Sequence, residues 1–118
     1  MRFLSLYKPG KEASGPPSQE HMAAMGKLID EMTKAGTLIS TEGCQPSSKG
    51  ARVRISGGTL TVTDGPFAEA KELVGGFALL QVKSKEEAIA LTKHFLEVMG
   101  EGECEVRQLH DGSDFGPQ

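Results

Sequence analysis

Residues 77–82, Phe-Ala-Leu-Leu-Gln-Val, constrain the fold of this 118-residue chain more than any other segment. They follow a pair of glycines and are almost continuously apolar, which is typical of a strand that is buried on both faces. Helices that lie in one layer cover only one face of a sheet. The sequence therefore predicts a sheet whose second face also needs a cover.

The first third of the chain has the pattern of a strand, a helix and a strand. Residues 2–7 alternate as a half-buried strand. A Met-rich amphipathic helix is predicted over 19–35, with Ser18 as its N-cap and Gly36 at its end. Residues 37–42 suit the strand that follows. Methionine fills irregular gaps in apolar cores, so the Met stripe alone does not indicate a cofactor.

The remaining two thirds repeat this pattern after a hairpin. The hairpin is predicted around Gly57-Gly58, a two-residue turn signal. After the strand 77–82, Ser84 caps a second helix, and a last strand covers 103–108. Two β-α-β halves of this kind predict an α+β, ferredoxin-like βαββαβ fold with an inserted hairpin. We predict one domain over 1–109 and a loose C-terminal tail over 110–118.

The predicted open face of the sheet suggests an assembly. Both helices of a ferredoxin-like fold pack on the same side, and we expect Phe3, Tyr7 and half of the strand 77–82 to lie on the other. A small chain does not leave such a face in water without cost. Because two-fold dimers are the commonest solution, the pattern predicts a homodimer that covers this face with a second copy.

Composition excludes several classes of function. The net charge is −3, from 13 Lys and Arg against 16 Asp and Glu, and no basic block indicates a nucleic-acid surface. No apolar run approaches the roughly 20 residues that span a membrane. Cys44 and Cys104 form no CxxC motif, and we predict a reduced, cytoplasmic compartment. No cofactor or metal is predicted, because no motif for either is present.

Asp64-Gly65-Pro66-Phe67 has two interpretations. It is a tight turn by its residue types, because Asp bonds nearby backbone, Gly frees φ and Pro fixes the next φ. It could also hold the Asp64 carboxylate on a stiff loop at a strand end, where it takes a proton or orients a histidine.

His21 is the candidate base, in the first turn of the first helix. The positive end of the helix disfavours a protonated imidazole, which leaves the ring available as a base. The alternative is an exposed or capping histidine. Arg52 and Arg54 share one side of the hairpin and could bind an anion, although charged side chains on a strand more commonly form a solvated face. His110, Asp111 and Asp114 suggest a metal or a dyad but have no spaced partner.

From Asp64-Gly65-Pro66-Phe67 to Gly75-Gly76-Phe77 the sequence resembles the YCII-related family, in particular the subgroup named for its DGPF motif. The resemblance extends over nearly the whole chain and implies a ferredoxin-like fold that pairs into a dimeric α/β barrel. It also implies small-molecule enzymes with a His–Asp pair, a dehydrochlorinase among them. His21 matches the family's histidine, but residues 98–102 lack the family's aspartate, so that only Asp64 could replace it.

Two functions follow as hypotheses. In the first, a lyase- or isomerase-like enzyme has its cleft between the open sheet face and the DGPF loop. His21 is the base, Asp64 orients it or donates a proton, and Arg54 holds an anionic or phenolic substrate. Tyr7 and Phe67 line the apolar wall. In the second, a non-catalytic dimeric module binds a ligand or a partner protein, since the resemblance also links such proteins to sigma factors.

Overall fold

The computed structural model describes residues 1–11, 15–69 and 73–116. Strands and helices follow the predicted order, with bounds that differ from the predicted ones by one or two residues. The elements are β1 (Arg2–Lys8), α1 (Gln19–Lys34), β2 (Leu38–Gly43), β3 (Ala51–Ser56), β4 (Thr59–Asp64), β5 (Gly76–Gln81), α2 (Lys85–Met99) and β6 (Glu103–Gln108).

The main sheet has the strand order of the ferredoxin-like fold. Within the described residues, β2, β5, β1 and β6 lie side by side in that order, and every neighbouring pair is antiparallel. With the hairpin set aside, these are the second, third, first and fourth strands of the chain. This arrangement confirms the prediction of an α+β, ferredoxin-like fold.

The prediction that Phe3 and Tyr7 lie on the open face is wrong. Both side chains are buried under the helices, with 2% and 8% of their surface exposed. The open face instead carries Leu4 and Leu6, which are only partly buried. Alternation divides a strand into two sets of side chains, but it does not say which set the helices cover. Here the helices cover the larger aromatic set.

The two helices pack differently on the sheet. Ala88 and Thr92 of α2 are buried, at 0% and 7% exposed, and Ala88 belongs to the core cluster with Phe3 and Leu80. Of the sixteen residues of α1, all of which the structure describes, Leu28 alone is buried. The first helix is therefore loosely packed, with most of its Met-rich stripe only partly covered.

Strands β3 and β4 form a separate two-stranded hairpin. Its tip is Gly57-Gly58, with φ of +57° and +81°, which are the left-handed values of the predicted tight turn. The register places four apolar side chains on one face, and each is 66% to 69% exposed: Val53, Ile55, Leu60 and Val62. The radius of gyration, 16.5 Å, exceeds the roughly 13–14 Å expected for a compact chain of this length.

The C-terminal segment is more ordered than predicted. Residues Gly112–Phe115 form a short 3₁₀-helix, and Asp111 and Asp114 make a reciprocal capping box at its start. The Arg2 guanidinium donates a hydrogen bond to the His110 carbonyl over 3.1 Å, which ties this segment to β1. The loose tail expected over 110–118 is thus replaced, as far as residue 116, by a capped turn.

Candidate functional site

The loop after β4 is locked against the short 3₁₀-helix Ser47–Lys49. The Gly65 N–H donates to the Gly50 carbonyl over 3.0 Å, and the Phe67 N–H donates to Ser47 Oγ over 2.9 Å. A Cβ at Gly65 would lie 1.7 Å from the Ser47 carbonyl oxygen, so no side chain fits there. The glycine lets two backbone segments touch, and this contact fixes the position of Phe67.

An open groove lies beside this loop, at the N-terminal end of α1. Tyr7, Lys11, His21, Cys44 and Phe67 are among its lining residues. Three of the predicted site residues, His21, Tyr7 and Phe67, thus face one space. Because Tyr7 is on the helix side of the sheet, this groove is also on that side. The cleft predicted next to the open sheet face stays a prediction, but Tyr7 does not line that face.

His21 lines the groove from the first turn of α1. Its backbone N–H is capped by Ser18 Oγ at 3.0 Å, so the turn itself is held in place. The ring is partly buried and makes no hydrogen bond or ion pair with the residues that the structure describes. Its two nitrogens are therefore available to a ligand in this structure.

The charged groups around the groove are basic. Lys11 lines it together with His21, and no aspartate or glutamate is among its described lining residues. A site with this composition favours an acidic or anionic ligand and leaves a bound cation without a carboxylate partner. Lys11 stands in a loop without a periodic pattern, so sequence reasoning did not select it.

Tyr7 forms a fixed wall of the groove. Its hydroxyl donates to the Glu101 carbonyl over 2.8 Å, and its ring meets Phe95 edge-on with centroids 5.6 Å apart. Gly75 and Gly102 lie so close that a Cβ on either would be about 2.5 Å from the ring. Burial raises the pKa of the Tyr7 hydroxyl, and the nearby Cys104 raises it further. The phenol therefore stays protonated and contributes shape.

Cys104 is paired with Tyr7 across β1 and β6. Burial raises the pKa of its thiol, Glu103 adds to the increase, and a hydrogen bond with Ser5 opposes it. A raised pKa disfavours the thiolate, which is the nucleophilic form of cysteine.

Asp64 and Arg54 are not among the residues that line the groove. Asp64 is exposed at the base of the hairpin, and its carboxylate makes no hydrogen bond with the described residues. Arg54 is exposed on the polar face of the hairpin. The arginine that reaches the groove wall is Arg52, whose guanidinium carbon lies 4.3 Å from the centroid of the Phe67 ring. Arg52 and Arg54 occupy alternate positions of the same strand, so the sequence alone does not distinguish which of them contacts the groove wall.

A cavity of about 270 Å³ adjoins the groove, between the two helices and the sheet. Tyr7, Gly75 and Met99 line both spaces, so that they form the boundary between them. Sequence reasoning interpreted the Met stripe of α1 as plain core. In the structure, Met25 and Met32 line this cavity and are only partly buried.

The histidine near the C-terminus takes part in a local contact. His110 Nδ1 lies 3.2 Å from Asp114 Oδ2, and its ring packs on Phe115 with centroids 5.1 Å apart. Over residues 1–11, 15–69 and 73–116, no three or more His, Cys, Asp or Glu side chains come together as a metal site would need.

The model of the YCII-related domain matches residues 1–110. The chain belongs to the YCII-related family. An uncharacterized protein of Rhizobium meliloti (strain 1021) is 36% identical over 89 residues, which are 75% of this chain and 72% of that protein. In the described part of the chain, no helix has the length and apolarity that a bilayer span requires.

A solved structure shares the fold of this YCII-related protein. It is 5-chloro-2-hydroxyhydroquinone dehydrochlorinase from Burkholderia phenoliruptrix, in complex with 2,5-dihydroxybenzoquinone. The TM-score is 0.50 at 15% sequence identity, over 97% of this chain and 98% of that one. At this identity the likeness concerns the fold.

Proposed function

We propose that this YCII-related protein, as a member of the DGPF subgroup, is a small-molecule enzyme of the lyase or isomerase type. Its substrate is a phenolic or enolic compound that binds in the groove. One observation carries the proposal: the His21 ring, without a partner among the described residues, shares the groove with Lys11 and with the rings of Tyr7 and Phe67.

The groove supplies the parts that a proton abstraction needs. His21 takes a proton from the substrate, and the Lys11 ammonium stabilises the anion that forms. The Arg52 guanidinium, on the Phe67 ring, adds positive potential beside the same wall. The anion then takes up a proton at another atom, which is an isomerisation, or expels a leaving group, which is an elimination.

The structural neighbour suggests the first compounds to test. Its name describes loss of chloride from a hydroxylated ring, and its bound ligand is a dihydroxylated quinone. Hydroxylated rings of this kind are acidic and flat, which suits a basic groove with aromatic walls. Neither Asp64 nor Arg54 lines the groove of this chain. The structure does not test the roles predicted for them, which stay predictions.

The test is turnover of hydroxylated and chlorinated ring compounds, followed by chloride release and by the ultraviolet spectrum of the ring. His21→Gln is expected to lower turnover by about 10²- to 10⁴-fold, the usual contribution of a general base. His94→Gln is the matched control, because His94 is exposed on α2 and does not line the groove. Equal turnover by the two variants would contradict the proposal, and Asp64→Asn and Arg54→Gln test the remaining roles in the same assay.

A second candidate function, a dimeric binding module, is favoured by the uncovered apolar surfaces. Leu4, Leu6, Phe77 and Leu79 share the open face of the sheet, and the hairpin adds four exposed apolar side chains. We propose that a second copy covers the open face as in a dimeric α/β barrel. Sedimentation that shows a folded monomer at high concentration would contradict the dimer. A sigma factor captured equally by wild type and by His21→Gln would favour the module over the enzyme.

A further inference from the structure

The cavity next to the groove exists because small residues meet on the floor of the sheet. The register pairs Ser5 with Ala78 and Gly43 with Gly76, so that three neighbouring strands present almost no side-chain volume at this place. The helices form the roof with larger apolar side chains, among them Met25, Leu28, Met32, Leu91, Phe95 and Met99. A small-residue floor under a loosely packed α1 leaves about 270 Å³ unfilled.

The side-chain hydroxyl groups of the cavity are already bonded. Ser5 Oγ and Thr92 Oγ1 lie 3.3 Å apart, Thr41 Oγ1 donates to the Phe77 carbonyl over 2.8 Å, and the Tyr7 hydroxyl is held by Glu101. In the described residues, no buried side-chain nitrogen or oxygen lacks a partner. A charged or strongly polar group would lose its hydration here and gain no hydrogen bond in return. Glu42, the charged residue of the lining, is exposed on β2. The rest of the lining therefore favours uncharged, apolar groups.

The size and the lining of the cavity indicate what fits. An apolar cavity of about 150 Å³ holds one benzene ring. The cavity described here is larger, which corresponds to a substituted ring or a short alkyl chain. Three of its roof residues are methionines, whose flexible thioether chains adapt to ligands of different shape. The cavity can therefore accommodate apolar groups of several shapes.

We propose that the cavity binds the apolar body of a ligand whose acidic hydroxyl stays in the groove at His21 and Lys11, with Tyr7 between the two ends. The substrate class is then a phenol or enol that carries an uncharged substituent of a few carbons. The placement of the hydroxyl rests on the proposed function. The apolar selectivity rests on the cavity alone.

Isothermal titration with three probes tests this selectivity: phenol, 4-propylphenol and 4-hydroxybenzoate. The propyl group adds three carbons, each worth up to about 0.8 kcal/mol when fully buried. We expect 4-propylphenol to bind about 10- to 50-fold more tightly than phenol. The carboxylate of 4-hydroxybenzoate cannot enter the cavity, so this probe gains nothing over phenol from it. Equal affinity for phenol and 4-propylphenol, or no binding of 4-propylphenol, would overturn the proposal.

Two filling variants and one control locate the binding. Ala78→Leu fills the cavity from the floor and Met32→Phe from the roof, and each is expected to bring the affinity ratio of 4-propylphenol to phenol close to one. Ala90→Leu makes the same change as Ala78→Leu on the exposed face of α2 and should keep the ratio. An unchanged ratio in both filling variants, with folding checked by amide NMR, would overturn the proposal.

His21→Gln separates this inference from the proposed function. The variant keeps the preference for 4-propylphenol if the cavity selects the ligand, whether or not the wild type turns over any compound. Loss of that preference in His21→Gln, with an unchanged ratio in Ala78→Leu, would place the selectivity in the groove and contradict the proposal.

Discussion

The four-stranded sheet and the β3–β4 hairpin are both built from alternating apolar strands, but helices cover one face of the sheet and leave the hairpin mostly exposed in the described residues. Phe3 and Leu80 in the sheet are 2% and 1% exposed, whereas Val62 in the hairpin is 66% exposed. An isolated two-stranded hairpin is marginally stable in water. This comparison shows that an alternating pattern predicts a strand and its two faces. Whether each face is buried depends on helices or on other chains.

The largest effect is expected in the covered region. Leu80→Ala removes a fully buried side chain from the core cluster, and we expect the free energy of unfolding to fall by about 2–5 kcal/mol. Val62→Ala in the hairpin should cost less than about 1 kcal/mol in dilute protein, because little apolar surface is exchanged. Urea unfolding measures both. Similar losses for the two variants would show that the hairpin is as well covered as the sheet.

The connection between the two regions is tested by Gly65→Ala. A methyl group at this position meets backbone atoms of the 3₁₀-helix Ser47–Lys49, which cannot rotate away, so we expect a loss of about 1–3 kcal/mol. Gly26→Ala is the control, because no atom lies within 4 Å of its added Cβ and it is inside α1. That change should stabilise the protein by about 0.5–1 kcal/mol. Equal stability of the two variants by thermal unfolding would contradict the close contact at Gly65.

The cover of the hairpin is tested by a charge on its apolar face. Leu60→Lys should raise the dissociation constant of a homodimer about tenfold, if a second copy packs on this face, because a lysine would be desolvated there. Thr61→Lys puts the same side chain on the polar face and should change the constant little. Sedimentation equilibrium gives both constants. The same constant for both variants would mean that the apolar face remains in water in the dimer.

The smallest effect concerns Tyr7, which lies where the sheet meets the groove. The chain has one tyrosine and no tryptophan, so tyrosinate absorbance reports on Tyr7 alone. Burial raises its pKa, so the folded protein holds the phenol proton to higher pH than the urea-unfolded chain, whose tyrosine titrates near pH 10.

The sign for stability follows from this shift in pKa. Below about pH 10 both states are protonated and the free energy of unfolding is unaffected. Above that pH the unfolded chain loses the proton first, and stability falls until the folded protein ionises as well. Tyr7→Phe removes this part of the pH dependence and costs about 0.5–1.5 kcal/mol at neutral pH, through the lost bond to Glu101. Coincident titrations of the folded and unfolded chain would contradict the burial.

The sequence predicts the fold more completely than it predicts the site. The capped helices and the Gly57-Gly58 turn are local features, and the structure has them where the sequence indicates. The face of β1 was assigned wrongly, since Phe3 and Leu4 are equally apolar and only the helices decide between them. The C-terminal turn was missed because its capping box lies in a short polar segment.

The site depends on contacts that no spacing encodes. His21, Tyr7 and Phe67 meet in one groove although 14 and 46 residues separate them along the chain. Lys11 joins them from a loop, and Arg52 reaches Phe67 only because the loop after β4 is folded back on Ser47. The cavity arises from the coincidence of Ser5, Ala78 and the paired glycines on different strands, which becomes visible only with the register.

The contact between Gly65 and Ser47 also restricts how the hairpin can move relative to the rest of the domain. Hydrogen bonds from Gly65 to Gly50 and from Phe67 to Ser47 hold the base of the hairpin. They fix the direction in which the two strands project from the domain. The tip at Gly57-Gly58 has open space around it. Residues inserted at the tip would lengthen the hairpin and leave its base and the groove intact. This turn is therefore a suitable place to insert a label or a recognition peptide.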